Sequence, residues 1–234
     1  MTAIYKRELK AFFKTPSGYV FMGIFLLASA FLCALSTLQA QTTDVSTYFQ
    51  MLMFAYVIII PLLTMKSFAE EKKNGTEQLL LTSPVSLWGM VGAKFLAAFT
   101  MFALTIGISC INFIPLVIYG EPNVGRIFGC LIGMVLIASC FISIGLFISS
   151  LTDNQFVAAI GTIGALAFLI VLGVLDSYIN SSVISAVISW VSIYSRFANF
   201  TYGIFDVASA LYYVSVAAVF MFFTVRIYEK RRYA

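Results

Sequence analysis

The densest chemistry in this sequence lies in residues 66–86, a loop between two long apolar runs. The chain has fourteen basic and ten acidic side chains, and six of these charged residues lie in the loop. Charges of both signs are typical of the rim of a protein–protein contact. Three consecutive leucines follow them, Leu79, Leu80 and Leu81. Such leucines fit either the groove of another protein or the surface of a membrane.

Patterns for catalysis and metal binding are missing from the sequence. It has no histidine and no HExxH, GxSxG or GxxxxGK[ST] motif. Its four cysteines lie in apolar segments without CxxC spacing, which is typical of small core residues. We therefore expect no enzyme active site and no metal or cofactor bound by this chain. Any ATP hydrolysis must come from a partner.

The composition predicts a helical membrane protein. The chain is 61% hydrophobic and 10% charged, whereas a soluble domain carries about 25% charged residues. Runs of about 20 apolar residues can cross a bilayer. We predict an all-α polytopic protein with six transmembrane helices, and the first run, which lacks a cleavage site, is a retained span. The predicted spans are 19–38, 49–65, 87–119, 127–151, 156–175 and 207–227.

The basic residues predict the topology. Twelve of the fourteen lie in the N-terminal segment, in or near the loop 66–86, and in the C-terminal tail. The positive-inside rule places all three in the cytoplasm, together with the short turn at 152–155. All ten acidic residues lie in loops or at span ends. This placement argues against a carrier coupled to protons or sodium.

Two further segments are predicted to lie along the membrane surface. Residues 1–14 form an amphipathic helix, read as an interfacial elbow before the first span or as a plain topology anchor. Residues 176–206 are rich in aromatic rings. They are read as short helices that dip into the outer leaflet, or as ordinary interfacial helices.

The third span is too long for one simple crossing. A helix over 87–119 would be about 50 Å long, against a hydrocarbon core of about 30 Å. Lys94 is expected to snorkel to the surface, so the helix either projects below Lys94 or bends at Pro115. Pro61 is expected to kink the second span. Gly125, Gly129 and Gly133 predict close helix packing, because small residues at every fourth position let backbones approach.

Local signals inside the loop predict a short helix between two stops. Asn74 and Gly75 form a helix end, because glycine readily adopts the left-handed conformation of a C-terminal cap. Thr76 is a favourable N-cap and Glu77 suits the first turn. Ser83 and Pro84 then cap and begin the next helix.

The run from Glu71 to Val85, EKKNGTEQLLLTSPV, resembles the signature of type-2 ABC exporter permeases. In that family an acidic residue precedes Gly-Thr, a second acidic residue, paired leucines and Ser/Thr-Pro-Val. The chain is most similar to the branch that serves gliding motility and nitrous oxide reductase maturation. The six spans, the elbow and the predicted cytoplasmic termini extend the resemblance to essentially the whole chain.

The resemblance implies that the loop is a coupling helix seated in a separate ABC ATPase, which holds ATP and Mg²⁺. Two ATPases and two permease chains, identical or related, would assemble in a bacterial cytoplasmic (inner) membrane, with room for an accessory membrane protein and no role for nucleic acid. Family members carry a basic residue near the loop's first glutamate. In this sequence Lys72 and Lys73 occupy that place, and lysine lacks the planar guanidinium with which arginine makes two parallel hydrogen bonds. The implied ATPase-coupling residues are Glu70, Glu71, Lys72, Lys73, Gly75, Thr76, Glu77, Leu79, Leu80, Leu81, Ser83 and Pro84, and Asp153 and Asn154 would form a second contact.

Alternative functions are an ATP-independent channel or secondary transporter, or a structural membrane partner. A structural partner would keep the loop but need no internal pathway. The apolar, nearly charge-free spans favour a lipid-like, peptide or hydrophobic-polymer cargo moved outward.

Overall fold

The computed structural model describes residues 1–78, 86–120, 122–176, 192–203 and 205–233. Every regular element assigned within these ranges is helical, so the predicted all-α class is confirmed. The helices are α1 (Thr2–Lys14), α2 (Pro16–Cys33), α3 (Ser46–Thr64), α4 (Ala69–Lys73), α5 (Leu87–Ser109), α6 (Ile114–Tyr119), α7 (Val124–Leu151), α8 (Gln155–Asp176), α9 (Ile193–Thr201) and α10 (Val207–Tyr233).

Six helical segments in the described part of the chain are long and apolar enough to cross a membrane, as predicted. They overlap the six predicted spans, and the second extends furthest beyond its predicted end because α4 continues it. A π-helical turn, Ala34–Leu38, ends the first. The six segments are Pro16–Leu38, Ser46–Lys73, Leu87–Ile118, Val124–Leu151, Gln155–Leu175 and Val207–Arg232.

The α-helix of the third span is interrupted next to the proline that was expected to break it. α5 ends at Ser109, a 3₁₀ turn covers Cys110–Phe113, and α6 begins with Pro115 in its first turn. Proline lacks a backbone N–H, so it is tolerated at the start of a helix but not inside one. The α-helix is therefore interrupted next to Pro115, and a bend of the helix axis there stays a prediction.

Helix α7 forms the centre of the bundle. In its most apolar window 67% of the residues are buried, against 28% in α8 and 22% in α10. α7 packs against α3, α5, α8, α9 and α10. Several of its serines bond carbonyls of the same helix, as Ser143 does with Cys140 at 2.7 Å, and the Cys130 thiol donates to the Phe200 carbonyl of α9 at 3.4 Å. Polar side chains are thus accommodated without charge.

The glycine spacing at the start of α7 serves contacts within the chain. A Cβ added at Gly129 would come within 3.1 Å of the Gly203 Cα, and one at Gly133 within 2.9 Å of the Phe200 ring. At Gly125 the added Cβ would meet only the Asn123 side chain, at 3.3 Å. Two of the three glycines therefore permit close packing of α9 and the turn that follows it against α7.

Gly145 gives a test of this packing. A Cβ at Gly145 would lie 2.9 Å from the Thr64 Cβ and still closer to its hydroxyl, whereas one at Gly107 would meet nothing within 4 Å. We expect Gly145→Ala to destabilise the protein by about 1–3 kcal/mol through overpacking. Gly107→Ala, in the same membrane environment, should stabilise it by about 0.5–1 kcal/mol. Thermal unfolding in detergent measures both, and equal shifts would contradict the close α3–α7 contact.

At one end of the bundle, polar contacts join the start of α3 and the residues before it to α7 and to the end of α9. Arg126 binds Asp44 at 3.0 Å, and the Ser46 hydroxyl donates to the Thr201 carbonyl at 3.2 Å. The hydrogen bond from the Ser46 amide lowers the pKa of Asp44, and the Ser46 hydroxyl and Arg126 act in the same direction. These contacts hold α9 against the ends of α3 and α7.

Only part of the ring-rich connection 176–206 is described, since residues 177–191 and 204 lie outside the described ranges. In the described part, α9 buries Ile193, Phe197 and Phe200. The Tyr213 hydroxyl donates to the Ile193 carbonyl at 2.9 Å and so ties α9 to α10. Whether this connection enters a membrane leaflet stays a prediction.

Candidate functional site

Charged residues from distant parts of the chain meet at the other end of the bundle, which we call the charged end. It comprises α1, segment 66–78, the first two turns of α5, the turn 152–154 between α7 and α8, and the last turns of α10. The three basic regions that the sequence assigned to one side of the membrane are thus close together in space.

The predicted helix stop in the loop is confirmed. α4 ends at Lys73, and the Gly75 amide donates to the Lys72 carbonyl at 3.2 Å. Gly75 has a φ of +69°, in the left-handed region that favours glycine. Glu77 and Gln78 then begin another helical turn. Because the chain leaves α4 through a glycine in this conformation, Glu77 and Gln78 need not continue the axis of α4.

Thr76 precedes that turn as predicted, but its hydroxyl bonds the helix before it and not the turn that follows. It donates to the Glu71 carbonyl at 3.2 Å and so closes the end of α4. The predicted coupling residues Leu79, Leu80, Leu81, Ser83 and Pro84 lie outside the described residues. Lys73, Asn74, Gly75 and Thr76 are exposed, so this part of the loop presents a free surface.

A buried lysine forms the centre of the charged end. The Lys94 side chain is 1% exposed, and its ammonium lies 3.0 Å from Glu71 Oε2 and 3.4 Å from Glu8 Oε1. It also donates to the Ser67 carbonyl at 2.6 Å and lies 5.0 Å from the centre of the Phe68 ring. The expectation that Lys94 snorkels to the surface is therefore wrong, because two carboxylates and a carbonyl satisfy its charge inside the protein.

The Glu71 carboxylate is shared between two cations. Oε2 faces Lys94, while Oε1 accepts from Arg7 at 2.8 Å. Arg7 also binds Glu8 at 2.7 Å. Removing ions from water costs several kcal/mol each unless opposite charges and hydrogen bonds offset the cost. The compensating ion pairs form here only when α1, the loop and α5 lie next to one another. The cluster therefore fixes the relative positions of these three segments.

The basic residues that contact Glu71 come from outside the loop. The pair Lys72 and Lys73 was expected to stand where family members carry a basic residue next to the first glutamate. In the structure the bases beside Glu71 are Arg7 and Lys94. Lys72 instead binds Asp153. Arg7 supplies the guanidinium that the loop itself lacks.

The two predicted contact regions are neighbours. Lys72, in α4, forms an ion pair with Asp153, in the turn between α7 and α8. Asn154 caps the start of α8, because its side-chain oxygen accepts a hydrogen bond from the Phe156 amide at 2.9 Å. Asp153 remains 63% exposed at its side chain. One surface can therefore include both segments.

Ser149, near the end of α7, anchors the start of α4. Its hydroxyl oxygen accepts the Phe68 and Ala69 amides, each at 3.2 Å, and donates to the Met65 carbonyl at 3.2 Å. Backbone groups at helix ends lack partners within the helix. Ser149 supplies these partners, so a displacement of α4 would act directly on α7.

Arg231 attaches α10 to the same assembly. Its two terminal nitrogens bind Glu77 Oε1 and the Ser150 carbonyl, both at 2.9 Å. One turn earlier, the Tyr228 ring lies 5.0 Å from the Phe68 ring. Arg231 thus joins the loop to the last turn of α7, where a positive charge also favours the helix dipole.

The contacts of Arg231 predict that its loss loosens the loop. Arg231→Gln removes a partly exposed ion pair and a carbonyl contact, worth about 1 kcal/mol together. We expect cleavage by trypsin after Lys72 and Lys73 to accelerate about fivefold, because local opening follows this free energy. Arg232→Gln, at an exposed neighbouring position, is the matched control. Equal cleavage rates in the two variants would show that Arg231 does not hold the loop.

Sequence reasoning missed several members of the charged end. Arg7, Glu8, Ser149 and Arg231 were not assigned to it, and Lys94 was assigned to the surface. One signal was present, since Lys94 is a single charge within an otherwise apolar helix. Such a charge in a membrane segment usually has a partner. The partner's identity depends on which distant helices meet.

Comparison with known proteins identifies the family. Residues 36–227 match the sequence model of the ABC-2 family transporter protein, and a comparison with curated proteins gave no match. The matched region includes Glu71, Lys94 and Asp153 but neither α1 nor Arg231. Permeases of this family normally work with an ABC ATPase and form dimers. The chain therefore belongs to the ABC-2 transporter family and is a multi-pass membrane component of an ABC transporter.

Proposed function

We propose that this chain is the permease subunit of an ATP-driven type-2 ABC exporter. Two copies, or this chain and a related one, form the translocation pathway, and two copies of a separate ATPase drive it. The loop sequence EKKNGTEQLLLTSPV supports membership of the branch that serves gliding motility and nitrous oxide reductase maturation.

The observation that carries the proposal is the attachment of segment 66–78 to four helices. Glu71 binds α1 through Arg7 and α5 through Lys94. Ser149 binds the start of α4 to α7, and Glu77 binds α10 through Arg231. A loop whose only role was to connect two spans would not require such contacts. A loop that receives force from a partner must pass it to the helices around the pathway.

The proposed mechanism follows these attachments. Closure of the ATPase dimer pushes on the coupling residues, of which 79–81 enter the partner's groove. α4 and the following helix then move as one body, because Gly75 joins them in a fixed turn. Lys94 and Arg7 carry the displacement to α5 and α1, and Asp153 and Ser149 carry it to α7 and α8. The bundle responds by changing the pathway at the permease interface.

The proposal includes an orientation. Both chain termini and the charged end face the cytoplasm of a bacterial cell, and the spans lie in its cytoplasmic membrane, as the positive-inside rule favours. α1 lies in the interface as an elbow helix. The connection 176–206 dips into the outer leaflet, a depth supported by the packing of α9 against Gly133, nine residues into α7, about 14 Å along its axis.

Affinity purification from the native membrane in mild detergent tests the proposal. We expect a stoichiometric P-loop ATPase to accompany the chain and to be lost when Leu79, Leu80 and Leu81 are replaced by Ser. Leu38→Ser, at an exposed apolar position near the opposite end, should retain the ATPase. A stable complex of the chain without any ATPase would reject the exporter assignment and favour a channel or a structural partner.

A further inference from the structure

A cavity of about 380 Å³ opens at the charged end between α1 and segment 62–76. The apolar part of its lining, which we call the apolar wall, includes Phe12, Leu62 and Leu63. Six charged residues also line the cavity, with equal numbers of each sign: Arg7, Lys66, Lys94, Glu8, Glu70 and Glu71. A cavity lined by both apolar and charged side chains is suited to an amphiphile.

The six charges are not equally engaged. Arg7, Lys94, Glu8 and Glu71 bind one another in the ion-pair cluster described above. Lys66 and Glu70 take part in no ion pair within the described ranges, although both are half-buried. A half-buried charge without a partner is unfavourable. This ammonium and this carboxylate are therefore the groups available to a ligand.

The backbone sets the separation at which these two side chains leave the chain. The Glu70 amide donates to the Lys66 carbonyl at 3.3 Å, so the residues are one helical turn apart. Side chains at this spacing have Cβ atoms about 5–6 Å apart and leave from the same face. A matching ligand carries an anion and a cation with a similar separation.

We propose that this cavity binds the headgroup of a phospholipid with a primary amine, of the phosphoethanolamine type. Its phosphate binds Lys66 and its ammonium binds Glu70, while the two-carbon spacer gives the separation. The glycerol and the first acyl carbons lie against Phe12, Leu62 and Leu63. A cavity of this size is within the range of small-molecule sites.

Charge and hydrogen bonding select this headgroup over others. An anionic headgroup would bring negative charge close to Glu70 and would offer that carboxylate no cation. A quaternary amine has no N–H to donate to that carboxylate, and charge-assisted hydrogen bonds are about twice as strong as neutral ones. A soluble phosphoamine would leave the apolar wall uncovered. The bound lipid would bridge segment 66–70 and α1, so bilayer composition would tune the position of α1 against the loop.

Native mass spectrometry of the delipidated full chain tests this site without the ATPase, so its outcome is separate from that of the proposed function. Phosphatidylethanolamine, phosphatidylcholine and phosphatidylglycerol are added singly at equal concentration. We expect about tenfold tighter binding of phosphatidylethanolamine, the effect of one charge-assisted contact. Lys66→Gln should weaken the binding of all three lipids, because they share the phosphate, and Glu70→Gln should remove this preference. Lys66→Arg should keep it, and so should Lys73→Gln, at an exposed position outside the cavity.

Three results would overturn the inference. Equal binding of the three lipids would exclude recognition of the headgroup. Unchanged selectivity in Glu70→Gln, or unchanged affinities in Lys66→Gln, would place the lipid elsewhere on the chain. Free phosphoethanolamine that displaces the lipid at equal concentration would show that the apolar wall contributes nothing and that the ligand is soluble.

Discussion

Replacing Lys94 with methionine is expected to destabilise the permease by about 3 kcal/mol and to separate the loop from α5. Methionine keeps most of the apolar stem but removes the charge, so Glu71 and Glu8 lose the cation between them. Loss of one member of a buried ion pair costs about 3–5 kcal/mol. We expect the lower end, because the two carboxylates are 18% and 16% exposed and Arg7 still binds both. Thermal unfolding in detergent gives the change in stability.

A double-mutant cycle distinguishes a lost ion pair from poor packing of methionine. Glu71→Gln relieves the carboxylate that Lys94→Met leaves behind, so the double variant should be more stable than the sum of the single effects predicts, by about 1–3 kcal/mol. Lys10→Met, at an exposed position of α1, should change little. Additive effects of Lys94→Met and Glu71→Gln would mean that the two side chains do not interact.

The same cluster shows where sequence reasoning reaches its limit. Apolar run length predicted the six spans, and Pro115 predicted the break after α5, because both depend on local physics. Charge bias predicted that α1, the loop and the C-terminal tail share one side. It could not predict that Lys94 binds Glu8, 86 positions away, or that Arg231 binds Glu77, 154 positions away. Those pairs depend on which helices pack together.

The resemblance to exporter permeases carried information of a different kind. It marked the loop and the turn at 152–155 as two contacts with one partner, and the Lys72–Asp153 ion pair brings these segments together in the structure. Yet the motif drew attention to residues inside the loop. The groups that fix the loop to the bundle, among them Arg7, Ser149 and Arg231, lie outside it. A motif identifies the residues of an expected contact more readily than the distant residues that hold them in place.

Replacing Gly75 with valine is expected to uncouple the ATPase from the spans while leaving the bundle folded. Gly75 has a φ of +69°, and an added Cβ would meet nothing within 4 Å. The effect is therefore one of backbone conformation, which costs an L-residue about 1–2 kcal/mol in the left-handed region and more when the side chain is β-branched. The chain can relieve this cost by changing the turn, which alters the angle between α4 and the helix that begins at Glu77.

The readout of this prediction is the response of the spans to ATP. A spin label at Ile160, an exposed position on α8, reports the distance between two permease chains in the reconstituted complex. In the parent protein, ATP should shift this distance. In Gly75→Val the ATPase should stay bound and active while the shift falls at least tenfold, and thermal unfolding of the spans should not change. Gly75→Asn should keep the shift, since asparagine tolerates the left-handed conformation. A full ATP-dependent shift in Gly75→Val would show that the turn does not transmit the motion. Loss of the shift in Gly75→Asn as well would trace the effect to the missing glycine rather than to backbone strain.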